Sequence, residues 1–256
     1  MNSHPLTDAH CHLDFEVFDS DRSAVLQRAK NNNIHDIIVP GTERAYWQRI
    51  NRLCQQHPQL HACYGLHPYW AAKHNTQDID ELNSCLDKYH PVAIGECGLD
   101  FRPQQADKKT QLYFFEKQLG IATDAQLPVI IHAVNATEIV IQTLKKFNGI
   151  HGMVHSYSGS TEQAKQLIDL NFYISISGSV TLNNAKKIKH TVKALPLTSL
   201  LLETDSPDQP DQQHIGTRNE PAYLVNTLTG ISRLKDETEN TVAQHTTFNA
   251  KKLFNL

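Results

Sequence analysis

The stretch PVIIHAVNATEIVIQTLKKFNGIHGMVHSYSGS, residues 128–160, decides the fold. It opens with a short apolar run that stops at His132. ATEIVIQTLKKF, residues 136–147, follows with helical periodicity. A second short apolar run, GMV, then stops at His155. A strand buried on both faces reads as a continuous apolar or β-branched run, and a helix lying on a sheet shows the 3.6-residue period. The stretch is therefore one βαβ unit.

The same alternation extends in both directions. Six further runs read as strands: LTDAHCHLD (6–14), DIIVPG (36–41), HACYGLHP (61–68), VAIGECGLD (92–100), FYISISGS (172–179) and LLLETDSP (200–207). Between them lie helical patterns, such as SAVLQRAKNNNI (23–34), TQLYFFEKQLGIATDAQ (110–126), TEQAKQLIDL (161–170) and NAKKIKHTVKAL (184–195). The tail, 219–254, is helical, with a helix start expected near Lys235–Thr238. Eight strands with one helix per crossover point to an α/β chain, a (β/α)8 TIM barrel, rather than an open doubly wound sheet. The units are not self-similar, which excludes a solenoid. Residues 1–256 are expected to form a single barrel domain. No GxGxxG follows the first strand and no P-loop pattern occurs, which argues against dinucleotide or nucleoside triphosphate binding.

Composition narrows the function. Lys and Arg number 24 against 27 Asp and Glu, a formal charge of -3, so a basic coat for bulk DNA binding is excluded while a local cationic cleft is not. Five cysteines without CxxC spacing make neither a disulfide scaffold nor a Cys-rich zinc site, and fit a reducing cytoplasm. MNSHPLTDAHCHLDF carries no basic-then-apolar signal, and no window approaches a membrane span. The unusual entry is His, at 15 residues.

In a barrel the C-terminal strand ends carry the chemistry. The first strand offers His10 and His12, whose i, i+2 spacing in a strand points both rings to one face. Glu96 is read as ending the fourth strand, His132 the fifth, His155 the sixth and Asp205 the eighth. A buried carboxylate is costly without a partner, and a metal is the simplest one. Four imidazoles and two carboxylates exceed a tetrahedral zinc. They suit two divalent ions about 3.5–4 Å apart. Glu96 is the expected bridge, with His10, His12 and Asp205 on one ion and His132 and His155 on the other.

Weaker signals surround this set. His67 either bonds a substrate oxygen or caps a turn. Asp8, Asp14 and Asp100 are expected to fix ligand orientation or loop shape. Glu203 is expected to orient a ligand histidine or to carry a proton. Ser156, Ser158 and Ser160 either donate to an anion or cap a turn. Arg218 and Asn219 follow the last strand, where barrels often bind phosphate.

DAHCHLD (8–14), GLHP (65–68), AIGECGLD (93–100), PVIIHA (128–133), HSYSGS (155–160), LLETDSPD (201–208) and IGTRNEPAYL (215–224) together resemble the TatD-type metal-dependent deoxyribonucleases. The likeness covers nearly the whole chain in order. It implies an amidohydrolase-like barrel, two divalent ions, and phosphodiester hydrolysis on DNA, often trimming from the 3′ end; a narrow barrel mouth favours single-stranded ends, and the donor set suits Mg²⁺, Mn²⁺ or Zn²⁺. Residue by residue it implies metal binding by His10, His12, Glu96, His132, His155 and Asp205, with Asp205 and Glu96 catalytic. It also implies substrate contact by His67, Arg218 and Asn219 and a supporting place for Glu203. DNA is then the partner, held at the barrel mouth, with no membrane and no obligate protein partner; a single copy suffices.

One departure stands out. The family usually carries an Arg two residues beyond the strand-five histidine, and this chain has Val134. That keeps open another phosphoester, or a small amide or ester, as substrate. Carbon–nitrogen hydrolases of this type often bridge their ions with a modified strand-four lysine; Glu96 in that strand favours phosphoester chemistry. A non-catalytic binding module would not need six converging ligands.

Overall fold

The computed structural model describes residues 4–256. Met1–Ser3, part of the expected domain and of the opening segment, lie outside the described residues. Eight strands form one parallel sheet in sequence order: β1 Leu6–Asp8, β2 Ile34–Pro40, β3 Leu60–Tyr64, β4 Ala93–Asp100, β5 Val129–Val134, β6 Gly152–Val154, β7 Phe172–Ile176 and β8 Leu200–Leu202. The circle closes just past the outer strands, where Ala9 N donates to Leu202 O at 2.9 Å and Asp205 N to His10 O at 2.9 Å. This is the (β/α)8 barrel.

Each crossover carries a helix: α1 Arg22–Asn31, α2 Arg44–Gln56, α3 Thr76–Tyr89, α4 Lys108–Ala125, α5 Thr137–Leu144, α6 Thr161–Asp169 and α7 Lys186–Ala194, followed by α8 Leu224–Lys235 and α9 Glu239–Phe254. Local chemistry sets several starts. Asp107 caps α4 by accepting from Lys109 N and Thr110 N. Ser160 and Gln163 form a reciprocal capping box on α6, so Ser160 has the turn-capping role. Thr238 caps α9, at the start expected from the sequence.

Two apolar clusters follow from the strand alternation. The larger packs the helices on the outer face of the sheet. The smaller joins the inward residues Ile38, Cys63, Ala93, Ile130, Met153 and Leu201 to Ala250, Leu253 and Phe254 of α9. Asn249 donates to Leu197 O and Leu200 O, and Thr247 to Pro5 O, so α9 lies against the amino ends of β8 and β1. The last helix therefore plugs the amino end of the barrel. The carboxyl end stays free for polar residues. Among the described residues no helix is long and apolar enough to cross a membrane.

Two glycines allow the strands to approach at the site. A Cβ on Gly65 would lie 2.5 Å from the Gly95 carbonyl carbon. Gly98 has φ +132° and its Cβ would meet His132 O at 2.1 Å. Only glycine fits both places.

Candidate metal centre

The residues expected at the strand ends converge at the carboxyl end, though not all from within strands. β1 ends at Asp8, so His10 and His12 stand beyond it rather than on one strand face. The chain there stays extended enough for Cys11 N to bond Ile38 O at 3.0 Å. Their Nε2 atoms approach to 3.2 Å. Likewise β8 ends at Leu202, and Glu203 and Asp205 lie in the loop after it. Asp205 has φ +57°, a left-handed conformation that Asp adopts more readily than most residues other than glycine.

Glu96, inside β4, organises the centre. Its Oε2 lies 3.1 Å from His10 Nε2 and 3.4 Å from His12 Nε2. Its Oε1 lies 2.8 Å from His155 Nε2, 2.9 Å from His132 Nδ1 and 2.9 Å from His67 Nε2. Asp205 Oδ1 adds to the first group, 3.5 Å from His10 Nε2 and 3.7 Å from His12 Nε2. His132 Nδ1 and His155 Nε2 are 3.1 Å apart. Two imidazole nitrogens thus face Oε2 and three face Oε1 of one buried carboxylate, with the His10–His12 and His132–His155 nitrogens closely paired. Neither pair can be fully protonated without bringing two N–H groups together. Imidazole nitrogens aimed at a common point beside carboxylate oxygens are a donor set for divalent cations. The side chains therefore fit a divalent metal site.

The surrounding charges agree. Glu96 is buried, which opposes ionisation, but the flanking histidines hold its carboxyl well below the usual range. Burial also opposes charge on His155, yet Glu96, Glu203 and Asp205 raise its pKa well above the ordinary value. His10 goes the other way: burial and the neighbouring His155, stacked at 4.0 Å between ring centroids, lower it. His12 is opposed by burial but raised to about 9 by Glu96, Asp205 and Asp14.

An outer layer orients these side chains. Asp100 Oδ2 meets His132 Nε2 at 3.2 Å and so holds the orientation of that ring. Glu203 Oε1 accepts from Ser156 N at 2.6 Å and lies 3.7 Å from His155 Nδ1. Asp8 accepts from Thr204 N and Oγ1, tying the first strand to the last loop. Gln209 carried no sequence signal. It donates to Asp205 Oδ2 at 2.7 Å and also bonds Ser156 Oγ. Its place depends on a loop conformation that spacing does not encode.

His67, expected either to bond a substrate oxygen or to cap a turn, points its Nε2 at Glu96 Oε1. Its Nδ1 accepts from Tyr69 N at 2.9 Å. The proton of the neutral ring is then on Nε2, which donates to Glu96 Oε1. Burial lowers its pKa to about 4, so the ring is neutral. His67 also caps the turn at Pro68–Trp70.

Arg218 and Asn219 do not join the centre. The Arg218 guanidinium bonds both oxygens of Asp21 and Val17 O, and stacks 4.6 Å from the Phe18 ring. Asn219 is buried; its Nδ2 donates to Thr204 O and Asp208 O, and its Oδ1 accepts from Glu220 N. The polar atoms expected to bind substrate hold the last loop in place.

A family model described as TatD related DNase matches residues 7–255. The uncharacterized metal-dependent hydrolase YabD of Bacillus subtilis (strain 168) is 36% identical over 253 residues, covering 98% of this chain and 99% of the relative. The uncharacterized metal-dependent hydrolase YjjV of Escherichia coli (strain K12) is 34% identical over 252 residues, covering 97% of each. The crystal structure of that TatD homolog superposes with a TM-score of 0.92 over 98% of both chains. A phosphotriesterase homology protein from Escherichia coli, 14% identical with a TM-score of 0.69 over 99% of this chain and 100% of its own, shares the fold. The histidine and carboxylate cluster, the barrel and these likenesses agree: the chain belongs to the TatD-related DNase family and is a metal-dependent hydrolase.

Proposed function

We propose that the protein is a two-cation phosphodiesterase that hydrolyses single-stranded DNA from its ends. The observation that carries this reading is the division of Glu96, with one oxygen toward His10 and His12 and the other toward His132 and His155. His10, His12 and Asp205 would hold one ion and His132 and His155 the second, with Glu96 between. Mg²⁺, Mn²⁺ and Zn²⁺ all suit parts of this donor set. Bound divalent ions supply Lewis acidity toward phosphoryl oxygens and make water acidic enough to serve near neutral pH.

The chain's own residues supply the rest. Gln209 donates to Asp205 Oδ2 and so turns Oδ1 toward the centre. Asp205 Oδ1, beside His10 and His12, is placed to orient an attacking water or take its proton. His67 keeps an N–H pointed inward and can give it to a substrate oxygen. The family description, TatD related DNase, supports DNA as the substrate. Five free cysteines support a cytoplasmic protein.

The test is release of nucleotides from a labelled single strand with Mg²⁺ or Mn²⁺, beside His132→Ala. Metal-dependent release that His132→Ala abolishes supports the reading. Hydrolysis of cyclic amides or simple esters, with no phosphodiester cleaved, would replace it with carbon–nitrogen or ester chemistry.

A further inference from the structure

Two segments beside the centre form a ledge that the metal chemistry does not use. One is the turn Pro68–Trp70, which begins directly after His67. The other is the loop after β4, which begins directly after Asp100. Tyr69 from the first is 46% exposed. Arg102 from the second has a side chain 46% exposed, with its Cζ 5.9 Å from the Tyr69 ring centroid. Trp70 meets the Tyr69 ring edge-on at 4.5 Å, and Lys73 Nζ lies 4.0 Å over the Trp70 ring. The aromatic pair is therefore held in place rather than loose.

Arg102 is held in the same way. Its Nε bonds Asp100 Oδ1 and Oδ2 at 2.9 and 3.0 Å, and Nη2 bonds Oδ2 as well. Nη1 has no hydrogen-bond partner among the described residues. Asp100 in turn bonds His132. Phe101 N bonds Val134 O at 3.0 Å, so this loop runs alongside the uncharged end of β5. Lys73, Arg102, Lys108 and Lys109 lie on or next to these segments, against Asp100, which is paired with Arg102, and Asp107, whose carboxylate caps α4. In a chain of formal charge -3 this is a local cationic edge.

We propose that this ledge seats the nucleotide next to the scissile phosphodiester, its base on the Tyr69 ring and its phosphate on Arg102 Nη1. This rests on the phosphodiesterase reading and deepens it. A base stacks on an exposed aromatic face whatever its identity, and a fixed guanidinium meets phosphate oxygens with little ordering cost. Tyr69 and Arg102 are near enough together to take a base and a phosphate of one strand. Both adjoin residues that touch Glu96 or His132. The cation that Val134 does not provide then comes from the neighbouring loop.

The experiment uses the full chain with Mn²⁺ and two substrates, hexathymidylate and methyl 4-nitrophenyl phosphate, a diester without a base. Wild-type protein should prefer hexathymidylate. Tyr69→Ala should lower kcat/KM about ten-fold more for hexathymidylate than for the small diester, chiefly through KM. Tyr69→Phe, which keeps the ring, should restore the wild-type ratio. Arg102→Gln should raise the hexathymidylate KM and weaken its salt dependence. Equal losses on both substrates, or unchanged hexathymidylate kinetics in Tyr69→Ala and Arg102→Gln, would overturn the ledge assignment. So would a wild type that cleaves both diesters without preference, while the phosphodiesterase reading stands. Hydrolysis of neither diester overturns both.

Discussion

His132 presents Nε2 to Asp100 Oδ2 at 3.2 Å, which leaves Nδ1 as the atom facing Glu96. Of the four histidines at the two proposed ions, it is the one that turns Nδ1 to the carboxylate; His10, His12 and His155 offer Nε2. A carboxylate on the far nitrogen of a ligand ring fixes its tautomer and raises its basicity. Asp100→Asn should therefore weaken the ion beside His132 and His155 by about 10–100-fold and leave the ion beside His10 and His12 tighter. Calorimetric titration with Mn²⁺ checks this. Equal affinities for both ions, unchanged from wild type, would remove Asp100 from the site's support.

Asp205 and Gln209 act in series. Asp205→Asn keeps the side-chain volume but removes both the proton acceptor at Oδ1 and a charge beside His10 and His12. We expect kcat to fall by about 10²–10⁴, the usual range for loss of a general base. Gln209→Ala should cost less, about ten-fold, because Oδ1 remains but is free to turn away from the centre. If both variants kept wild-type kcat on a phosphodiester, the proton would be handled elsewhere.

Stability has its own titratable contact at the opposite end of the barrel. Asp36 on β2 lies 2.9 Å from His61 Nε2 on β3 and 3.4 Å from Lys251 Nζ on α9. The His61 hydrogen bond, opposed by burial and helped by Lys251, lowers the Asp36 pKa below 3.8. A carboxyl with a lowered folded pKa contributes fully above its unfolded pKa and loses that contribution as pH falls through the folded one. Asp36→Asn should thus cost about 1 kcal/mol near pH 7. The gap between wild type and variant should shrink as the pH falls below about 4. Urea unfolding across that range measures it; a gap that stays constant with pH would assign the loss to packing instead.

The fold was largely legible because each strand is a compact apolar run, and because the chemistry falls where those runs stop. Six site residues, His10, His12, Glu96, His132, His155 and Asp205, could be chosen on that basis alone. Strand limits were less legible. β1, β6 and β8 are three residues long, so His10, His12, His155 and Asp205 sit on the turns beyond them. Helices α2 and α3 lie outside the patterns named above, although Trp47, Ile50 and Leu53 form an i, i+3, i+6 stripe on α2. Arg218 and Asn219 illustrate a different limit. A polar residue after the last strand has the chemistry to bind phosphate, but whether its donors are already engaged depends on Asp21 and on loop carbonyls brought up by tertiary folding. Gln209, Tyr69 and Arg102 are of the same kind: their importance comes from neighbours, not from spacing.

The central claim is that Glu96 stands between two cations. Anomalous diffraction at the manganese edge from crystals soaked in Mn²⁺ tests it most directly. The account predicts two peaks, one among His10, His12 and Asp205 and one between His132 and His155, with Glu96 bonded to both, and loss of both peaks in Glu96→Gln. A single peak at saturating metal, or two peaks neither of which touches Glu96, would contradict it.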